Sequence, residues 1–468
     1  MHDQRNKAAS HVTSPLMGNA LKTVAAVALA AIVAMPVAAS TEKTLFNFSP
    51  WSTAISAAGA NPKGPLLRDA SGALYGVTSG GGDYYYGTVF KMTPPDPGQT
   101  EWTLTLLYVF TGGLDGGSPN GGLIMDDSGA LYGTTSIGGW WPNDGVVYKL
   151  TPAPGGTQWT QTVLHRFYFD PWSGPSDGGN PHGALVMDQT GALYGTTTFG
   201  GKEYDGVSYA GYGTVFRLTP LDASRTNWEE TVIYRFNSGS DGVNPIELTM
   251  DGAGNLYGST LNGGTGNCTD IYYGNWLGCG TVFRLNRPAA GQATWTKTTL
   301  WNFSGRPDGS WPQGKLLMDT SGTLYGTTIV GGSGLCTDLW YNVIGCGTVF
   351  TLTPPASEQT GWTLNLIRDF TGPDGAYPEG GVIPDPSGAL YGTTSSNSSF
   401  PYDGVLFRLE PPPAGQTIWF EGIVYYFDSL SGDMTEGELV RTPDGRLYGA
   451  AYVGGTGYGG TIYEITPY

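Results

Sequence analysis

Charge is scarce in this 468-residue sequence, with Asp, Glu, Lys and Arg together making up only 13% of it. Helical bundles need charged outer faces on most of their helices, so this scarcity excludes one. Positive charge is scarcer still: 22 Lys and Arg stand against 39 Asp and Glu, a net charge of −17. Nucleic acid is therefore excluded as a partner, because phosphate binding needs clustered cations. With four His and four Cys, the chain has no zinc spacing, and it has no nucleophile elbow or phosphate loop. Neither a metal nor a cofactor is expected. One apolar run alone stands out, Thr23 to Val37, and its 15 residues are short for a bilayer span. Arg5, Lys7 and Lys22 precede it and Ala38, Ala39 and Ser40 follow, the pattern of a secretory signal. The expectation is a signal segment over 1–40 and one secreted domain over 41–468, extracellular, periplasmic or surface-held, monomeric and without a membrane span.

What is abundant is glycine (75), proline (32) and aromatic residues (13%), a composition suited to an all-β protein. The tripeptide Leu-Tyr-Gly recurs with its Tyr at 75, 132, 194, 257, 325, 391 and 448, which gives seven units of 57 to 68 residues. Four strands are legible in each unit. Strand A is a short apolar run ending in Asp, such as Ala184 to Asp188; a turn of the form D-x-x-G leads into strand B, Leu-Tyr-Gly-Thr-Thr. Strand C reads Gly-Thr-Val-Phe-x-Leu-Thr-Pro, as over Gly213 to Pro220, and ends where Pro removes a ladder donor. Strand D carries a Trp and a Phe eight residues apart, as in Trp102 and Phe110, a spacing that predicts both rings on one face.

Four antiparallel strands per unit and seven units predict a seven-bladed β-propeller. Thr44 to Phe48 reads as a strand D with no strands A to C before it, whereas the chain closes on strands A, B and C without a D. The two fragments complete one blade, so the ring is expected to close by an N-terminal strand joining the C-terminal blade. The string D-x-x-G-x-L-Y-G-T-T, a Gly-Gly loop and then G-T-V-F-x-L-T-P resembles the GloVer tandem repeat of bacterial extracellular proteins. The resemblance covers nearly all of the chain after the leader. It implies export and a propeller-like repeat, and no particular activity; no C-terminal sorting anchor is evident.

Variable spacing lies mainly between strands B and C, where loops are expected to build one rim rich in rings. Candidate ligand-binding residues there are Tyr84, Tyr85, Tyr86, Trp140, Trp141, Tyr204, Tyr212, Tyr272, Trp276, Trp340, Tyr341 and Tyr402, interleaved with Asp83, Asp144, Asp205, Asp270, Asp338 and Asp403. Rings can stack on sugar C–H faces and carboxylates can accept hydrogen bonds from hydroxyls, so a glycan is the sharp expectation; protein contacts and loop packing are the alternatives. A second series, Asp115, Asp177, Asp241, Asp308 and Asp374, reads as turn capping before a Pro rather than as a Ca²⁺ ring. For catalysis the weak candidate is His182, a general base for a polysaccharide lyase using the same rim; a structural surface role is the third reading. Cys268/Cys279 and Cys336/Cys346 occupy matching loops and predict two local disulfides.

Overall fold

A computed structural model describes residues 40–49, 58–139, 143–156, 158–170, 176–201, 211–268, 278–337, 342–356, 361–396 and 403–467. Residues 40–467 form one compact unit built as seven antiparallel sheets, a seven-bladed propeller. Blade three shows the pattern: A (Gly179–Met187), B (Leu193–Phe199), C (Thr214–Pro220) and D (Trp228–Arg235), hydrogen-bonded in that order. Blade seven takes its strand D from the opposite end of the chain: Thr41–Asn47 pairs antiparallel with Thr461–Thr466, from Thr41 opposite Thr466 to Asn47 opposite Thr461. Ring closure follows the expectation. Among the described residues no helix is long and apolar enough to cross a membrane.

The repeat is explained by what each residue touches. In blade one, Asp69 Oδ1 accepts the amides of Ser71 and Ala73 while its Oδ2 accepts the Tyr75 hydroxyl at 3.0 Å, which ties the A–B turn to strand B. The Gly of Leu-Tyr-Gly leaves room for the strand C aromatic: a Cβ on Gly133 would lie 2.5 Å from the Tyr148 hydroxyl. Blades are joined by a strand D Phe that meets the strand C ring of the next blade. The seven contacts run from Phe48–Phe90, across the closure, to Phe427–Tyr463, with centroids 4.9–5.5 Å apart. Rings at that spacing favour these tilted and edge-on arrangements.

One expectation about strand D is corrected. Trp102 packs towards blade seven, against Tyr448, whereas Phe110 packs towards blade two, against Tyr148. The two rings therefore face opposite neighbours. A β-bulge in strand D, where the register shifts between Leu106 and Tyr108, inserts one extra residue and flips the alternation.

Strand C carries Phe in five blades but Tyr148 and Tyr463 in blades two and seven, and both hydroxyls are buried without a hydrogen-bond partner. Burial raises the pKa of both. Tyr148→Phe and Tyr463→Phe are each expected to stabilise the protein by about 1 kcal/mol, because an unsatisfied buried hydroxyl is removed without changing the ring. Urea titration checks this; a lower midpoint in both variants would show that the hydroxyls have partners.

Around the outside, each D-to-A loop Asp caps its own turn, as expected, and some also meet the next blade. Asp115 accepts the Thr111 amide and the Tyr108 hydroxyl, and Gln161 of blade two donates to its carbonyl at 2.7 Å. Asp241 accepts from Tyr234 and from Lys297 of blade four. Asp308 accepts from Trp301 and Ser304; Arg368 bridges Asp374 and Glu421 of blade six. Disulfides join Cys268 to Cys279 and Cys336 to Cys346, as expected, just before strand C of blades four and five.

Candidate functional site on the propeller axis

Strand A begins earlier than the sequence pattern indicates. In blade five it spans Ser310–Met318, so the Pro312-Gln313-Gly314 segment, which precedes the apolar run, belongs to the innermost strand. The residue before each Pro takes a left-handed conformation (Asn61, Ser118, Asn180, Asn244, Trp311, Tyr377), and its amide is bound by the preceding blade's B–C loop, as in Asn180 N to Asp144 O at 2.7 Å. That interblade bond holds the strained residue in place. The residue after the Pro then lines the axial channel.

Seven inner strands meet tightly on the axis. A Cβ on Gly64 would stand 2.9 Å from the Gly122 amide nitrogen, and one on Gly437 2.6 Å from the Gly64 carbonyl oxygen, so glycine is required where neighbouring strands A pass. Beside these glycines the chain places polar side chains in two tiers. The upper tier holds Lys63, Asn120, His182, Gln313, Glu379 and Glu436, one from each blade except the fourth. In blade four strand A is one residue shorter between its Pro and its final Met, and Glu247 instead joins a lower tier with Lys315 and Glu438. The upper tier, together with Ile246, Glu247 and Glu438, lines a cavity of about 140 Å³; Glu438 also lines a second cavity of about 460 Å³ that includes the A–B turns of blades four and five. The upper cavity has room for several waters or for the end of one small polar ligand.

Lys63 Nζ stands 3.3 Å from Glu436 Oε2 and 5.3 Å above the Tyr452 ring. Glu379 accepts a hydrogen bond from Ser395 at 3.0 Å. His182 Nδ1, Glu247 Oε2 and Asn120 Oδ1 are buried without protein partners. Burial, helped by the Lys63 charge, pushes His182 down to about 4, which keeps it neutral at pH 7. Burial raises Glu379, and the nearby Glu436 adds to it; burial likewise raises Glu438, with Glu247 adding and Lys315 opposing.

These shifts give a pH prediction. Carboxyls raised in the folded state stabilise it fully below their ordinary value of 4.5, and that contribution is lost as pH climbs through the raised folded values. The A–B turn acids behave oppositely: burial resists ionisation of Asp69, Asp126, Asp188, Asp251, Asp319 and Asp385, but the hydrogen bonds they accept outweigh it and lower their pKa below 3.8. Their contribution is present above that value and fades as pH falls. Stability should therefore peak between roughly pH 4.5 and 6. Glu438→Gln should raise the melting temperature at pH 8 and leave it nearly unchanged at pH 5, measured by calorimetry; an equal shift at both would refute the assignment.

The rim candidates fall in three places. Tyr84 and Tyr85 are exposed, Tyr85 at 75%, as is Tyr458 at 73% in the equivalent loop of blade seven. Tyr86 is partly exposed, but its ring lies over Gly112 of the adjoining loop, where it packs. Tyr212 is a correction: at 5% exposure it belongs to the core between blades three and four, so it offers no ligand a face. Trp140, Trp141, Tyr204, Tyr272, Trp276, Trp340, Tyr341 and Tyr402 lie outside the described residues. His182 is placed in the channel wall rather than on the rim. The other upper-tier residues were missed because they precede the apolar run taken as strand A; aligning the five Pro-x-Gly segments on each other would have exposed all of them but Glu436.

No curated protein sequence matches the chain. Among solved structures, an ulvan lyase of the polysaccharide lyase family PL25 is similar over 91% of this chain and 95% of its own, at 12% identity and a TM-score of 0.52. A gluconolactonase from Xanthomonas campestris matches over 76% of this chain and 86% of its own, at 13% identity and a TM-score of 0.37. The PQQ domain of a pyranose dehydrogenase from Coprinopsis cinerea matches over 92% and 98%, at 12% identity and a TM-score of 0.40. At these identities the first likeness is one of fold alone. The Gloeobacter/Verrucomicrobia repeat model matches residues 28–272 and 278–468, and with seven blades built from that repeat the chain belongs to the Gloeobacter/Verrucomicrobia repeat family.

Proposed function

We propose that this protein is exported and binds a glycan at its B–C loop face, with the upper axial tier as the anchoring pocket. One observation carries the reading: at the position flanked by Pro and Gly, where packing dictates neither size nor polarity, the chain supplies Lys63, Asn120, His182, Gln313 and Glu379 around one cavity. Glu436 continues the tier in blade seven, after Thr435 in place of the Pro. A sugar hydroxyl both donates and accepts, so a ring mixing donors with acceptors satisfies several hydroxyls at once. Exposed Tyr84, Tyr85 and Tyr458, in the loops of that face, add faces for sugar C–H groups. Export rests on the basic, apolar and small-residue leader and on two disulfides, which persist in oxidising compartments.

Cleavage by a lyase-like mechanism is the second reading, favoured by His182 in the same pocket and by the fold shared with an ulvan lyase. A base held near 4 is poorly matched to proton abstraction at neutral pH, so binding is the stronger of the two. A glycan array with the intact protein, followed by calorimetry on the strongest oligosaccharide, tests this. Lys63→Met and Glu379→Gln should each weaken binding by about 10- to 100-fold, as loss of a charged hydrogen bond does, with no new reducing or unsaturated ends formed. Unchanged affinity in both variants, or no binding to any glycan, overturns the proposal; product formation lost in His182→Ala would replace it with the lyase.

A further inference from the structure

Where blade two meets blade three, the outer junction breaks the pattern of its neighbours. His165 of strand D in blade two, Asp177 of the following loop and Glu230 of strand D in blade three each point one ligand atom into a space in which all three lie within 4.8 Å of one another. His165 Nε2 stands 2.8 Å from Asp177 Oδ2. Asp177 Oδ1 is already used by the Tyr168 amide, at 3.0 Å, which leaves Oδ2 aimed at the imidazole. Glu230 Oε1 is closed off from solvent and has no hydrogen-bond partner.

The other junctions show what is unusual here. Where blades three and four meet, Lys297 occupies the position of Glu230 and donates to Asp241 at 3.0 Å. Where blades five and six meet, two carboxylates again face each other, Asp374 and Glu421, and Arg368 sits between them. Arg368 occupies the strand D position of His165. Between Asp374 and Glu421 the facing carboxylates have a permanent cation; between blades two and three the residue in that place is an imidazole. The imidazole satisfies one carboxylate oxygen of Asp177, and Glu230 Oε1 keeps no hydrogen-bond partner. The arrangement is a nitrogen donor and two oxygen donors, from three separate segments, around one space.

We propose that His165 Nε2, Asp177 Oδ2 and a Glu230 carboxylate oxygen bind a divalent transition-metal ion, with Zn²⁺ the best fit, that clamps blade two to blade three. Imidazole with carboxylates selects Zn²⁺ and its neighbours over Ca²⁺ and Mg²⁺, which prefer all-oxygen shells. Three protein ligands at about 2.0–2.2 Å leave a fourth position for water or an external ligand, and small side-chain rotations bring the observed spacing to that radius. The site lies on the outer strands, away from the axial channel, and does not depend on the glycan reading.

The full chain, stripped with chelator, is titrated with ZnCl₂ by calorimetry, and with CoCl₂ while its visible absorption is followed. One equivalent of Zn²⁺ should bind, the melting temperature should rise and fall again with excess chelator, and Co²⁺ should give the ligand-field bands of a low-coordinate nitrogen and oxygen site. Glu230→Gln and His165→Ala should each weaken binding at least about tenfold and dim the cobalt bands, while Glu421→Gln, at the equivalent position of the Arg368 junction, should leave both intact. Should His165→Ala fail to fold, Glu230→Gln alone decides, since it preserves shape. Absence of binding at 100-fold molar excess, or equal affinity in wild type and Glu230→Gln, overturns the proposal.

Discussion

Deleting residues 41–48 should abolish the single cooperative melt of the propeller and leave a protein that aggregates on mild heating. Strand Thr41–Asn47 supplies the whole outer strand of blade seven, and Phe48 continues the pairing through its amide to Gly460 O at 2.9 Å and its carbonyl to Gly459 N at 3.1 Å. Without it, strand C of blade seven becomes an open edge able to pair with other chains. Phe48, fully buried, also closes the ring by meeting Phe90 of blade one and Phe46 beside it. Truncation of a buried Phe to Ala alone costs about 3–5 kcal/mol, against a total stability of roughly 5–15 kcal/mol. Phe48→Ala, which keeps the backbone pairing, should therefore fold but melt several degrees lower, and the deletion should do far worse. Circular dichroism melts of both proteins check this; a deletion variant that melts like the wild type would mean that blade seven does not need its borrowed strand.

The second large effect is expected at the axis. Gly121→Ala should destabilise the protein by about 3 kcal/mol or more and also abolish ligand binding, because a Cβ there would overlap the Gly183 carbonyl of blade three and push two inner strands apart. Backbone cannot rotate away as a side chain can, so the strain spreads to the neighbouring members of the ring and distorts the tier that Asn120 and His182 belong to. Gly422→Ala is the control. It lies in an outer strand, Phe420–Tyr426, with nothing within 4 Å of its Cβ position, and should be neutral or stabilising by up to about 1 kcal/mol. Chemical denaturation of the two variants gives the comparison, and equal losses at both positions would contradict the axial packing.

Much of this was legible before any coordinates. The Asp, Leu-Tyr-Gly and Gly-Thr-Val-Phe signals are local: each states a turn or a strand through the conformations that its own residues allow, and seven repetitions leave little choice of architecture. Tyr212 and the Trp/Phe pairs show where local reading stops. Tyr212 looks like its exposed counterparts in the other B–C loops, yet its ring drops into the core between two blades. The even spacing of Trp102 and Phe110 gives the right answer for a regular strand, but the bulge beside Leu107 reverses it. A bulge is set by pairing with a partner strand, which is not written in the strand that carries it.

The axial site was hidden for a related reason. Lys63, Asn120, His182, Gln313, Glu379 and Glu436 lie about 60 residues apart in sequence and share no motif beyond a neighbouring Gly and, in five of the six, a preceding Pro. Sequence by itself determined the seven blades, their strand order, the shared strand that shuts the ring and the two disulfides, because those follow from short-range propensity, alternation and repetition. Only the tertiary structure decided which side chains converge. Convergence depends on closing the circle: seven inner strands, each ordinary alone, bring their one unconstrained position to a common axis, and three outer residues from two blades come together at a junction that no single repeat contains.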